Sequence, residues 1–257
     1  MTERSEFEAA GRTVSELDGR LLADVLLLAD SALPVGAFSH SFGLEAVFSS
    51  GSFRQGGDEL EALLAAWLES EWAGVDGAAF ALAHTAASRG DLAALERVDR
   101  RVHAMRLPAE WRRGASQIGR QLLRLAVQLA DRCDGTARDP AASTLRAFAA
   151  RVEAGAAPGQ HCAAAGAVYA ARGVPLHPAL TAFLTSTVQS LVAVAVRLVP
   201  LGQVEGQILV RRLVDRALPL ARRAAAARSP CDLGGFGPYF EIEGMNHEIL
   251  ETRLFIS

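Results

Sequence analysis

The residues best suited to chemistry fall within one short string, Leu33-Pro34-Val35-Gly36-Ala37-Phe38-Ser39-His40-Ser41-Phe42-Gly43-Leu44-Glu45. It gathers Ser39, His40, Ser41 and Glu45. A serine, an imidazole and a carboxylate are the parts of a nucleophilic relay. Relay members meet in space from distant segments, however, and rarely share seven residues of one segment. No Gly-x-Ser-x-Gly elbow accompanies them. The same residues read equally as a tight loop entering a helix, with Gly36 giving backbone freedom and Ser39 a cap, or as an exposed recognition loop. Metal chemistry fares no better. The other histidines are His84, His103, His161, His177 and His247. No two share a helix face at i, i+4, and no His-Glu-x-x-His occurs. His161 and Cys162 are neighbours, so on a helix they point about 100° apart and do not chelate one ion. A transient site shared between chains stays open.

What is missing narrows the field. All 26 basic residues of this 257-residue chain are Arg. Schiff-base enzymes, Ser–Lys hydrolases and Walker-type nucleotidases all require lysine and are excluded. A net charge of −3 gives no global field for nucleic acid. Arginines cluster at 97–124 and 211–228, which reads as solvated helix faces or a surface for an acidic protein. Aromatic residues do not interleave with them as a nucleic-acid surface requires. Cys133, Cys162 and Cys231 are odd in number and form no Cys-x-x-Cys pair, which fits a reducing cytoplasm.

The elements that must position these residues are helical. The chain is rich in Ala, the strongest helix former. Residues 1–17 read as a flexible N-terminal arm. Apolar periodicity predicts a helix from Leu21, halted at Pro34 and Gly36, then a short helix from Ser39 to Phe48. Asp58 and Glu61 suggest a capping box for the next helix, which Gly74 and Gly77 weaken or end in a turn. Gly90-Asp91 reads as a stop and restart. Pro108 opens a long helix whose Trp111, Ala115, Ile118, Leu122, Leu125 and Leu129 form a packing stripe. Loops are expected at 133–140, 155–159 and 173–178. Residues 179–199, apolar all round, predict a buried core helix, not a membrane span, whose hydroxyls and Gln189 need partners inside. Residues 203–228 predict a helix that Pro219 kinks or splits. From Ser229 the glycines and apolar residues predict an irregular tail, docked on its own domain or on a partner. The sum is one all-α, helical-bundle-like domain of about ten helices, spanning 18–228. The arm precedes it and the tail, 229–257, follows.

Three separated strings then coincide with one family. They are LPVGAFSHSFGLE at 33–45, STVQSLVAVAVRLVPLGQVEGQ at 186–207 and YFEIEGMNHEILETRLFIS at 239–257. With Gly159-Gln160-His161 between them, the chain resembles the urease accessory protein UreF family. That resemblance implies an all-helical, homodimeric, cytoplasmic protein that is not an enzyme. It implies bridging of the accessory protein UreD (also called UreH) and the GTPase UreG, so that nickel reaches apo-urease. The complex handles the nickel, and no cofactor is bound stably by this chain. Neither nucleic acid nor a membrane is an expected partner. By position the resemblance assigns partner binding to His40, Ser41, Phe42 and Glu45 of the N-terminal motif. Gln203 and Gln207 open the penultimate helix. Glu241, Met245, His247, Glu248, Arg253, Leu254 and Phe255 form the tail pattern, which in the family becomes ordered on binding UreD. Arg253 matches an arginine tied to recruiting the GTPase. Removing residues 229–257 is then expected to leave a folded body that no longer captures its partner. The competing readings are a hydrolase built on Ser39, His40 and Glu45, and a stand-alone nickel-binding protein.

Overall fold

The computed structural model describes residues 19–51, 57–134 and 139–256. The expected N-terminal arm, part of the 133–140 loop and Ser257 lie outside the described residues. Among the described residues the chain is all-α. The helices are α1 (Gly19–Ala29), α2 (Leu44–Ser49), α3 (Gly57–Trp67), α4 (Ala78–Ser88), α5 (Leu92–Met105), α6 (Ala109–Leu129), α7 (Pro140–Glu153), α8 (His161–Ala171), α9 (Leu176–Leu198), α10 (Gln203–Ala225) and α11 (Pro238–Asn246). Short 3-10 turns stand at Ala37–Ser39, Pro230–Asp232 and His247–Ile249.

At the centre is α8, buried from Cys162 through Ala170. Its small side chains let neighbouring backbones approach closely. A Cβ on Gly166 would stand 2.5 Å from the carbonyl oxygen of Phe80 on α4. Both α4 and α6 pack directly on α8. The α6 stripe is buried at Trp111, Ala115, Ile118 and Leu122, with Trp111 turned to Phe42 and Trp67, while Leu129 at its far end reaches solvent. The hairpin of α9 and α10 closes the other side, and α1 lies along α9.

Local signals set most boundaries. Gly90 is left-handed (φ 75°), and the Asp91 side chain accepts from the amide of Ala94 at 2.8 Å. Asp139 caps α7 with Pro140 in its first turn. Other boundaries differ from expectation. The short helix after Ser39 begins only at Leu44, because Phe42 and Gly43 are left-handed. Asp58 falls in the first turn of α3, not at its cap. Gly74 and Gly77 break nothing: residues 68–77 continue the helix as a π-helical stretch that joins α3 to α4. Pro178 sits inside the first turn of α9, where a missing N–H costs little. The α10 helix runs unbroken through Pro219.

The apolar α9 is long enough to cross a membrane by length and composition, yet 61% of its most apolar window is buried in the bundle. Thr187 satisfies its hydroxyl on the Phe183 carbonyl at 2.9 Å. Gln189, expected inside, faces outward. The arginine faces are only partly solvated. Arg212 and Arg216 share Glu61 at 3.1 and 3.2 Å. Arg106 is buried outright. The tail expected to be irregular contains one helix, α11, which Pro238 starts at a first-turn position.

Candidate functional site

The N-terminal motif is a strained turn held by aromatic rings. Phe42 has φ 49°, unusual for a residue with a side chain, and Gly43 follows at φ 88°. A left-handed non-glycine residue costs about 1–2 kcal/mol and persists where its surroundings hold it. Here the Phe42 ring meets Trp72 edge-on at 5.2 Å and Trp111 at 6.4 Å. The turn aims Ser41 and Glu45 inward, and both are buried. Ser41 accepts from the Glu45 amide at 3.4 Å, closing the first turn of α2. His40 is buried beside Phe42, and burial holds its imidazole below its usual range, against the pull of Glu110.

The tail returns to this motif from the far end of the chain. Gly234 donates its amide to the carbonyl of Gly74 in the π-helical stretch at 3.3 Å. Gly235 then passes so close that a Cβ would stand 1.8 Å from the Ser70 carbonyl oxygen. In α11, Phe240 stacks on Trp67 at 4.9 Å with planes 4° apart. Gly244 lies against Gly43: a Cβ on Gly43 would stand 2.9 Å from the Gly244 Cα. Ile256 finally donates to the Ser39 carbonyl at 2.8 Å.

Between motif and tail sits a polar clasp. His247 is fully buried between two carboxylates, with Nε2 3.0 Å from Glu45 and Nδ1 2.7 Å from Glu110. Glu45 also accepts the amides of Leu254 at 2.6 Å and Phe255 at 3.1 Å. Arg253 reaches Glu110 at 2.7 Å, and its other nitrogens donate to the carbonyls of Leu250 and Glu248. The Glu248 carboxylate caps α6 from 139 residues away, accepting the Ala109 amide at 2.9 Å. That helix has Pro108 at its cap position and no local side-chain cap. A carboxylate beside a helix N-terminus gains from the orphan N–H groups and the dipole.

Ten of the residues singled out in the sequence therefore meet at one place: His40, Ser41, Phe42, Glu45, Met245, His247, Glu248, Arg253, Leu254 and Phe255. Glu241 stands on the other flank of α11, toward Glu71. Gln203 and Gln207 are not part of this place. They are exposed at the start of α10, beside a groove of about 1440 Å³ between α1, α9 and α10. Sequence reasoning missed Glu110, whose only signal was an acid in the first turn after a proline.

The chemistry this arrangement allows is structural. Glu45 commits its oxygens to the tail, so it is not the orienting carboxylate that a Ser39–His40 pair would need. Glu45 and Glu110 face opposite nitrogens of His247 and do not converge on one ion. Among the described residues no three His, Cys, Asp or Glu side chains are arranged to hold a metal.

A second network lies beneath. Arg106 pairs with Asp76 in the interior and donates to Gln160 at 2.9 Å. Gln160 in turn donates to Ser116 at 2.7 Å and to the Arg112 carbonyl at 3.2 Å. Asp99 accepts the amides of Gly159 and Gln160 at 2.9 and 2.6 Å. Burial pushes its carboxyl up to about 6 against those two bonds. This accounts for the Gly159-Gln160 string as a brace between α5, α6 and α8. Where the tail crosses the π-helical stretch, burial, then the charges of Asp76 and Glu241, raise Glu71 to about 7.

The outer face of the tail is apolar. Phe236, Ile249 and Leu254 are 87%, 81% and 75% exposed, with Tyr239, Ile242 and Met245 between them in the chain. Contiguous exposed apolar surface of this kind is what interaction sites present.

Known proteins resemble this chain over most of its length. The sequence model of the UreF family matches residues 55–214. A urease accessory protein UreF from an Arthrobacter species is 34% identical over 234 residues, covering 90% of this chain and 94% of its own length. Another from Xanthobacter autotrophicus is 35% identical over 252 residues, 97% of each. The bifunctional urease accessory protein UreEF of Bordetella bronchiseptica is 35% identical over 248 residues, covering 94% of this chain and 53% of its own length.

Proposed function

The chain belongs to the UreF family of urease accessory proteins, and from that premise we propose that it matures urease as a non-catalytic adaptor. A cytoplasmic homodimer of this chain holds the accessory protein UreD/UreH on its tail. It recruits the GTPase UreG through the surface around Arg253 and the N-terminal motif, and so couples GTP hydrolysis to nickel delivery into apo-urease. The nickel is cargo of the assembly. The chain contributes position: two partners on one scaffold reach effective concentrations in the mM range.

The observation that carries this reading is the clasp. It fixes the tail backbone from inside through Glu45, Glu110 and His247, and leaves the outer edge of the tail apolar and open. Fixing a segment before binding lowers the ordering cost of association. An exposed Leu or Ile on such a segment can be altered without disturbing the core.

Leu254→Asp and Ile249→Asp test it. Each is expected to retain the helical circular dichroism of the parent and to lose capture of tagged UreD/UreH in co-purification. In a host carrying the full urease gene set with this gene removed, urease is expected to accumulate as nickel-poor apoenzyme. Adding the parent gene back restores activity, and adding either variant does not. Full urease activity without this gene would overturn the reading.

A further inference from the structure

We propose that Glu110 is the positioning residue for Arg253. The inference rests on the reading above, in which Arg253 faces the GTPase. It concerns how that guanidinium comes to be held in place.

Arg253 has five N–H donors in a rigid fork. Three are engaged: Nε on Leu250 O at 3.2 Å, Nη2 on Glu248 O at 2.9 Å, and Nη1 on Glu110 at 2.7 Å. Two N–H groups remain for an acceptor on a partner, and the side chain is 36% exposed. The two carbonyl acceptors belong to the tail itself, within five residues of Arg253, so they move with it. Of these three acceptors only Glu110 belongs to the helical body. Its carboxylate is 10% exposed and is itself fixed, with Oε1 on Arg253 and Oε2 on His247. Its helix is capped by Glu248, three residues before the Glu251-Thr252-Arg253 turn. The guanidinium is thus referred to the body through one carboxylate, on the first turn of α6. A hydrogen bond to a charged group is worth about 1.5–3 kcal/mol net, which sets the expected effect at about tenfold or more.

The experiment uses the full-length chain with Glu110→Ala, Glu110→Gln and Arg253→Ala. Trypsin cleavage after Arg253 is followed by mass spectrometry of the released tetrapeptide, with cleavage at the other arginines as internal control. GTPase capture in the presence of UreD/UreH is measured on the same samples. Glu110→Ala is expected to speed cleavage at Arg253 by about tenfold, with cleavage at the arginines of α6 and α7 unchanged. It is expected to weaken GTPase capture as far as Arg253→Ala does. Glu110→Gln keeps an acceptor of the same size and is expected to recover part of both. Unchanged cleavage at Arg253 in Glu110→Ala would overturn the proposal. So would stronger capture in that variant, since it would make the contact a mask and not a support. If Arg253→Ala itself leaves capture intact, the adaptor reading of Arg253 fails, while the cleavage data still decide whether Glu110 positions it.

Discussion

Glu71 offers the sharpest test of the electrostatics under the tail. Its carboxyl lies where Gly237 crosses the π-helical stretch: a Cβ on Gly237 would stand 2.7 Å from Glu71 Oε1. Asp76 and Glu241 are its acidic neighbours, and the nearby cation, Arg106, is already paired with Asp76. Burial first, then those two charges, raise the carboxyl from 4.5 to about 7. A folded-state value above the unfolded one means that the folded protein binds this proton more tightly. The associated stability is complete below pH 4.5 and is lost as pH rises through about 7. A shift of that size corresponds to about 3 kcal/mol as a ceiling, and partial solvent access brings the expectation to about 1–2 kcal/mol. Glu71→Gln removes the titration at nearly constant shape. In urea unfolding, the variant is expected to match the parent at pH 5 and to exceed it by about 1–2 kcal/mol at pH 8. The difference between the two proteins is the readout, because other groups act in the same range. Burial depresses His161 to about 4 and lowers His84 as well, so their contribution is lost as pH falls below 6.5. They cancel in the comparison. A gap between parent and variant that is the same at both pH values would refute the reasoning.

Four further outcomes follow from packing and from the buried ion pair. Gly235→Ala drives a Cβ toward the Ser70 carbonyl; hydrogen exchange of residues 238–249 is expected to rise by about tenfold or more while α4 and α8 amides keep their protection. Phe240→Ala removes the ring stacked on Trp67 and is expected to cost about 3–4 kcal/mol, with red-shifted tryptophan emission as the check. Removal of 229–257, expected from the sequence to leave a folded body, strips Leu233, Phe240 and Phe255 from the core together, so the truncated chain is instead expected to melt well below the parent in circular dichroism. Arg106→Ala leaves Asp76 buried and unpaired and is expected to cost about 3–5 kcal/mol in denaturant unfolding; combining it with Asp76→Leu is expected to recover part of that loss.

What the sequence disclosed was what neighbours in sequence decide. Gly90-Asp91 ends one helix and starts the next through its own backbone and side chain, so it could be read directly. The α6 stripe was legible for the same reason. The central place of α8 was not, since an Ala-rich run says helix without saying what packs on it. Gly74 and Gly77 looked like breaks because their reason to be small is elsewhere: the tail crosses at Gly234 and α10 packs at Ala224. Likewise α11 was hidden by the glycines around it, though Pro238 is a good helix start. The resemblance named ten residues of the motif and the tail that returns to it, but not their mutual contacts. Glu45 and His247 are 202 positions apart, and no periodicity spans that distance. Glu110 was invisible because its partners are both in the tail.

That separation orders events during synthesis. Chains emerge N-terminus first at about 5–20 residues per second. Glu45 therefore leaves the ribosome some 10–40 s before His247, Leu254 and Phe255 exist to meet it. Throughout that interval the turn at Phe42 lacks the backbone of Gly244 behind it, and the Trp67 face stands uncovered. The N-terminal motif is the earliest part of the clasp to be made and among the last to be completed, so a nascent chain carries the Trp67 face and the Phe42 turn without their cover for most of its own translation.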